Sequence, residues 1–139
     1  MSTPTPITIQ TTVNAPAKKV WEFWTTPAHI IQWNSASPDW HTPRATIDLK
    51  AGGKFTSRME AKDGSFGFDF EGVFSEVVPM QKLAYTMPDG RKVVVLFEEK
   101  DGKTTVTETF DPETENPIEM QRGGWQAILD NFRKHTESH

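Results

Sequence analysis

The stretch Phe55-Thr-Ser-Arg-Met-Glu-Ala-Lys-Asp-Gly-Ser-Phe-Gly-Phe-Asp-Phe-Glu-Gly72 decides the fold, because it contains two strand-like segments and the turn between them. Asp63-Gly64 suits the positive φ angles of a tight hairpin turn, so it predicts the register of the two strands. The predicted partners are Met59 with Phe68, Arg58 with Asp69, Ser57 with Phe70 and Phe55 with Gly72. Phe55 thereby covers a glycine that has no side chain of its own to pack.

The two faces of this hairpin differ in polarity, which supports the register. One face carries Phe55, Met59, Phe66, Phe68, Phe70 and Phe74. The other carries Thr56, Arg58, Glu60, Asp69 and Glu71. We interpret Arg58 and Asp69 as an exposed cross-strand ion pair and the aromatic face as the inner face of a sheet.

Two further Asp-Gly pairs predict two more hairpins in the segment from Arg44 to Asp111. Asp101-Gly102 pairs Phe97 with Val106, Val95 with Glu108 and Val93 with Phe110. Glu108 then lies among apolar neighbours, so it is either a buried acid with a raised pKa or a carboxylate at the rim paired with Lys or Arg. At Asp89-Gly90 we favour a three-residue loop that includes Pro88, since it aligns Leu83 and Tyr85 with Val95 and Val93.

The N-terminal segment predicts a strand followed by two short helices. Ile7 to Val13 alternates apolar and polar residues, which is typical of a half-buried strand, and helical spacing follows as far as Pro27. A short second helix ends near Trp33. The stretch from Asn34 to Pro43 is rich in turn-forming residues and is expected to be a loop that carries Trp40 and His41.

The C-terminal segment predicts the longest helix, from Asn116-Pro117 to about His135. One face of it carries Ile118, Gln121, Trp125, Ile128, Leu129 and Phe132. Gly123-Gly124 in its middle costs about 1 kcal/mol per glycine relative to alanine, so we expect either a close approach or room for a ligand there. The chain is therefore expected to be an α+β domain whose curved antiparallel sheet packs against the last helix.

Composition excludes several classes of function. The 139 residues predict one domain, and the absence of cysteine excludes disulfides, thiol nucleophiles and iron–sulfur clusters. The net charge of −4 without a basic block argues against nucleic-acid binding, and no apolar run is long enough for membrane insertion. No motif for a cofactor or a metal is present. We expect a cytoplasmic protein.

Several segments carry a resemblance to a known family. They are Asp48-Leu-Lys-Ala-Gly-Gly-Lys-Phe55, Trp33 at the end of the short helix, Asp63-Gly64, Gly72-Val-Phe-Ser-Glu-Val77, Leu83-Ala-Tyr85 and Gly124-Trp125. Together they resemble homologues of the activator of the ninety-kilodalton heat-shock protein ATPase (AHSA-type), in the START-like, birch-pollen-allergen-like (SRPBCC) superfamily. The resemblance runs over about residues 6–136, which we take as the ordered core of a single START-like domain spanning residues 1–139.

The resemblance implies a helix-grip fold with a hydrophobic cavity between the sheet and the C-terminal helix. The positions predicted to line it are Trp33, Phe55, Met59, Phe68, Phe70, Phe74, Tyr85, Glu108, Gln121 and Trp125. Such a cavity is suited to a hydrophobic or amphipathic small molecule, with Glu108 and Gln121 as polar contacts. The alternative is that these aromatic side chains form an ordinary core.

Two other functions are kept as alternatives. A cyclase-like, aromatase-like or hydrolytic enzyme could use Glu108 or His41 as acid or base in the same cavity, with Asp39 orienting the imidazole of His41. A chaperone-interaction module would use the outer sheet face, where Val94 and Leu96 are expected to project. The eukaryotic activators have an extra N-terminal domain that this sequence lacks, so co-chaperone activity is not expected.

Overall fold

A computed structural model, which describes residues 5–139, contains seven strands and three helices. In chain order these are β1 Ile7–Val13, α1 Ala17–Thr25, α2 Pro27–Trp33, β2 Trp40–Ile47, β3 Lys54–Ala61, β4 Gly67–Val78, β5 Lys82–Thr86, β6 Lys92–Lys100, β7 Lys103–Phe110 and α3 Ile118–Glu137. The strands form one antiparallel sheet in the order β1-β7-β6-β5-β4-β3-β2. The curled sheet packs against α3, so the predicted helix-grip α+β fold is confirmed.

The strand registers agree with those predicted from the Asp-Gly turns. Phe55 pairs with Gly72 and Met59 with Phe68, although the turn widens to residues 62–65. Asp101 and Gly102 have φ angles of 54° and 78°, and the strands they join pair Val95 with Glu108. The loop after β5 is the three-residue form, because Thr86 pairs with Lys92 and the Met87 amide donates to the Arg91 carbonyl.

Strand β2 begins earlier than expected. The stretch from Asn34 to Pro43 was predicted to be a loop, but Trp40 already pairs with Ala61 of β3 and His41 with Glu60. The register then shifts between His41 and Arg44, where Pro43 cannot donate a ladder hydrogen bond. A strand containing this bulge lacks the alternating pattern by which strands are recognised in a sequence.

The inner face of the sheet has two parts. We call the region where α1 and α3 cover β1, β6 and β7 the closed half; its side chains include Val20, Val106, Leu129 and Phe132, all 0% exposed. Helix α3 is anchored there, since Arg122 and Gln126 donate to carbonyls of β1. We call the inner face of β2 to β5, which curves away from α3, the open half.

Candidate functional site

A pocket of about 400 Å³ lies between the open half of the sheet and helices α2 and α3. Nine of the ten predicted positions line it, namely Trp33, Phe55, Met59, Phe68, Phe70, Phe74, Tyr85, Glu108 and Trp125. It is also lined by Trp24, Ile30, Asn34, Ala36, Ser37, Trp40, Thr46, Ile47, Ser57, Leu83, Gly124 and Ile128. The volume falls within the range of ordinary small-molecule sites.

Aromatic contacts hold the pocket walls in place. Trp125 of α3 stacks on Phe110 of β7 with 3.9 Å between the ring centroids and an angle of 8°, and its other neighbour is Phe70 at 5.9 Å. Phe55 lies edge-on to Tyr85 at 4.6 Å. These pairings contribute about 0.5–1.5 kcal/mol each beyond their buried area, so they fix the shape of the walls.

Gly72 allows the Phe55 ring to lie against the sheet, as the register predicted. A Cβ atom at this position would lie 2.9 Å from the Phe55 ring and 3.0 Å from Tyr85. Real Cβ atoms essentially never come this close to another heavy atom, so any larger residue would displace a wall of the pocket. The glycine is required by the close approach of two aromatic side chains.

Glu108 is the acidic residue at the back of the pocket. It is 6% exposed, and its neighbours across the sheet are Ile9 of β1 and Val95 of β6. Burial raises the pKa of the Glu108 carboxyl to about 8. The alternative of a rim carboxylate paired with Lys or Arg is wrong, since no ion pair among residues 5–139 includes Glu108.

Tyr85 of β5 is the second titratable group in the pocket. Its side chain is 8% exposed, and burial raises the pKa of the phenol, with the nearby Glu108 carboxyl adding to the shift. In the described part of the chain, every side-chain oxygen or nitrogen that is fully sealed has a hydrogen-bond partner. Tyr85 and Glu108 have none there, so their oxygen atoms face the open space of the pocket.

Gln121 does not line the pocket, which corrects the prediction that it contacts a ligand. Its side chain is buried, but its amide is used by the connection between β7 and α3. The oxygen accepts the Glu113 amide at 2.9 Å, and the nitrogen donates to the carbonyls of Glu113 and Asn116 at 3.0 and 2.9 Å. Helical periodicity placed Gln121 on the correct face of α3, but its side chain hydrogen-bonds to the preceding loop.

His41 lies on the outer face of the sheet and does not belong to the pocket. It pairs with Glu60, whose Oε1 is 3.9 Å from its Nε2, and no hydrogen bond in the described chain joins it to Asp39. Glu60 in turn accepts from Arg58 at 2.9 Å, and the same guanidinium approaches Asp69 at 3.4 Å. The suggestion that His41 acts as a base in the cavity is therefore wrong, because the strand directs it away.

The two glycines in α3 leave space. A Cβ atom at Gly123 or Gly124 would meet nothing within 4 Å, so close approach of another element is not the reason for them. Gly124 lines the pocket, whereas Gly123 is exposed on the other side. Room at the pocket wall, the second of the two expected reasons, applies to Gly124.

The tip of the β3–β4 hairpin carries aromatic side chains at the pocket mouth. Phe66 and Phe68 were both predicted on the inner face, but they are 62% and 41% exposed because the strands extend beyond α3. Trp40 lies 6.0 Å from each ring. Phe68 and Trp40 line the pocket, and Phe66 does not.

Sequence reasoning missed residues from α1, from α2 and from the loop before β2. Trp24 and Ile30 occur at helical spacing beside Trp33, so helical periodicity could have found them. Asn34, Ser37 and Trp40 carry no such signal, because their placement depends on how the loop crosses the sheet edge. The Trp33 indole N–H donates to the Phe23 carbonyl at 3.0 Å, which leaves its ring for the pocket.

A curved antiparallel sheet gripping a C-terminal helix, with a pocket between them, defines the helix-grip class of proteins. The family model "Activator of Hsp90 ATPase homolog 1-like protein" matches residues 14–137, so the chain belongs to this AHSA1-type, START-like family. No curated protein matches the sequence.

Solved structures agree with this assignment. The AHSA1-like protein from Aeromonas hydrophila is 45% identical with a TM-score of 0.90, and the alignment covers 96% of this chain and 93% of that one. Chr148 from Cytophaga hutchinsonii is 52% identical with a TM-score of 0.83, over 95% and 92% of the two chains. NE0264 from Nitrosomonas europaea, at 20% identity and a TM-score of 0.83 over 99% and 97%, shares the fold.

Residues 5–139 contain neither a metal-binding cluster nor a membrane-spanning helix. No three or more His, Asp or Glu side chains come together there in a way that could hold a metal ion. None of the three helices combines the length and the apolar character needed to cross a bilayer.

Proposed function

We propose that this protein binds an apolar or amphipathic small molecule in the pocket between the sheet and α3. The observation that carries the proposal is a pocket with an aromatic wall and two polar side chains, Glu108 and Tyr85, whose oxygen atoms face its open space. A polar oxygen that faces an open pocket rather than a sealed core can take a hydrogen-bond partner from a bound molecule. A cytoplasmic location stays a prediction.

Tryptophan fluorescence is a direct readout of binding at this site. Four of the five tryptophans, Trp24, Trp33, Trp40 and Trp125, line the pocket. The fifth, Trp21, packs edge-on against Phe97 at 5.4 Å in the closed half. A ligand in the pocket displaces water from the four rings and changes their emission. A panel of fatty acids, flavonoids and polyketide-like aromatics can be titrated in this way.

Substitution of Gly124 gives the most selective test. Gly124→Leu adds a side chain at the pocket wall, where a Cβ atom would meet nothing within 4 Å. Gly123→Leu is the matched control: it changes the adjacent glycine of the same helix on the exposed side. Both substitutions remove a helical glycine and should stabilise the fold by about 0.5–1 kcal/mol.

We expect Gly124→Leu to weaken binding of any panel ligand by about tenfold or more and Gly123→Leu to leave it unchanged. Thermal unfolding of both variants confirms that each is folded. The proposal is wrong if no compound of the panel binds the wild-type protein. It is also wrong if the two leucine variants bind a panel ligand equally well.

A further inference from the structure

The pocket contains acidic groups and no cation. Its titratable lining residues are Glu108 and Tyr85, and no Lys, Arg or His is among the residues that line it in the described chain. The helices facing Glu108 contribute only tryptophans, isoleucines and a glycine to the lining. An anionic ligand placed here would lose its hydration without gaining a counter-charge.

Arg91 lies outside the pocket, and its charge affects Tyr85. It lowers the pKa of Tyr85 slightly against the effects of burial and of Glu108, which raise it. Its guanidinium is already bonded to the Asp89 carboxylate at 2.6 Å, and it does not line the pocket. Arg91 is therefore not placed to neutralise a ligand.

The two pocket groups are hydrogen-bond donors near neutral pH. Because burial raises the pKa of Glu108 to about 8, its carboxyl carries a proton there and offers one O–H. The Tyr85 phenol offers a second O–H, since burial raises its pKa as well. Both groups face the open space of the pocket, so each O–H can bond to a ligand atom.

We propose that the pocket selects uncharged apolar molecules that end in a carbonyl oxygen, held by hydrogen bonds donated from Glu108 and Tyr85, and discriminates against carboxylates of the same shape. This inference rests on the proposed function and specifies its ligand class. An uncharged carbonyl oxygen can accept both hydrogen bonds, and it carries no charge that would lose its hydration on binding. A carboxylate of equal size must either bury its charge or take up a proton on binding.

Three probes with the same ring system test the selection: biphenyl, 4-acetylbiphenyl and biphenyl-4-carboxylate, each titrated at pH 7 by tryptophan fluorescence. We expect 4-acetylbiphenyl to bind about tenfold or more tightly than the carboxylate, because only the carboxylate buries an unpaired charge. Biphenyl reports whether the pocket takes an apolar ligand at all. It also confirms that each variant has kept its pocket.

Variants of Glu108 test the role of the donor. Affinity of the wild-type protein for 4-acetylbiphenyl should fall above about pH 8, where Glu108 ionises and ceases to donate. Glu108→Gln keeps an N–H donor at every pH, so its affinity should not change over this range. Glu108→Leu should weaken the preference for the ketone over biphenyl, because Tyr85 is then the one donor left of the two. Thr107→Val, on the outer side of the same strand, should behave as the wild type.

The outcomes separate the two proposals. If none of the three probes binds, as with the ligand panel, the proposed function fails. If biphenyl binds but the carboxylate binds as tightly as the ketone, the pocket function stands and the selection for uncharged ligands is overturned. The role of Glu108 is overturned if Glu108→Leu prefers the ketone over biphenyl as strongly as the wild type does.

Discussion

The closed half of the sheet and the pocket beside it differ in how their buried polar groups are bonded. In the closed half the Thr104 hydroxyl donates to the Ala15 carbonyl at 2.8 Å, and the Thr136 hydroxyl donates to the Phe132 carbonyl at 2.8 Å. His135 is bonded to His29, with 3.0 Å between their ring nitrogens. At the pocket, the oxygen atoms of Glu108 in β7 and Tyr85 in β5 instead face open space.

The apolar side chains follow the same division. Val20, Val106, Leu129 and Phe132 of the closed half are fully buried, whereas Phe55 and Phe70 in the open half are only partly buried. Trp125 marks the boundary, because its ring stacks on Phe110 and forms a T-shaped pair with Phe70. Complete packing with satisfied polar groups is typical of a core, and incomplete packing around unsatisfied groups is typical of a binding site.

The largest expected effect on stability comes from a substitution in the closed half. Phe132 is 0% exposed and meets Trp24 and Trp33 edge-on at 4.7 and 5.0 Å. Phe132→Ala should lower the free energy of unfolding by about 3–5 kcal/mol, because it removes a buried ring and leaves a cavity. Urea denaturation measures this loss. A loss below about 1 kcal/mol would contradict the division into two halves.

The second largest expected effect is the change in the stability of the fold as the pH passes through the range in which Glu108 titrates. The pKa of Glu108 is about 8 in the folded protein and 4.5 when the side chain is fully solvated, as in the unfolded chain, so unfolding between these values releases a proton. The stability due to this group is complete below pH 4.5 and is lost as the pH rises toward 8, by about 1.4 kcal/mol per pH unit. Between pH 5 and 7 the free energy of unfolding of the wild type should fall by about 3 kcal/mol relative to that of Glu108→Gln.

Urea denaturation of both proteins at pH 5, 6 and 7 measures this difference. His135 acts in the opposite direction, since burial, His139 and His29 lower its pKa, and its stabilisation is lost as the pH falls. Because His135 is present in both proteins, its contribution cancels when their free energies of unfolding are compared. A difference that does not change with pH would mean that Glu108 is not held in its uncharged form.

The registers of the sheet could be predicted from the sequence because they depend on local chemistry. Asp-Gly turns fix which residues face each other, and one register then determines which side chains share a face. Nine of the pocket residues followed from this argument and from helical spacing, including Phe55 over Gly72. The pairing of Glu108 with Val95 followed from the same arithmetic, whereas its pairing with Ile9 of β1 was not predicted.

The remaining residues could not be predicted because their placement depends on tertiary contacts. Gln121 has the correct helical position, but its amide bonds to a loop whose path no local pattern specifies. His41 follows Trp40 in a strand whose alternating pattern is interrupted by a bulge, so the sequence did not indicate which face of the sheet the His41 side chain lies on. Ser37 and Trp40 enter the pocket only because the loop before β2 folds across the sheet edge.

The smallest expected change in stability belongs to the open half. Phe68→Ala should cost less than about 1 kcal/mol, because the ring is already 41% exposed in the folded protein. The same substitution should weaken binding of biphenyl severalfold, since Phe68 lines the pocket beside Trp40. Urea denaturation and fluorescence titration measure the two effects separately.

Phe66→Ala is the matched control for this pair of measurements. Phe66 lies two residues away on the same hairpin and is 62% exposed, but it does not line the pocket. It should change neither stability nor affinity. Equal losses of affinity in the two variants would mean that the exposed hairpin tip itself holds the ligand. If only Phe68→Ala loses affinity and its stability is preserved, Phe68 contributes to ligand binding without contributing to the stability of the fold. Phe132 in the closed half differs, because its substitution is expected to destabilise the fold.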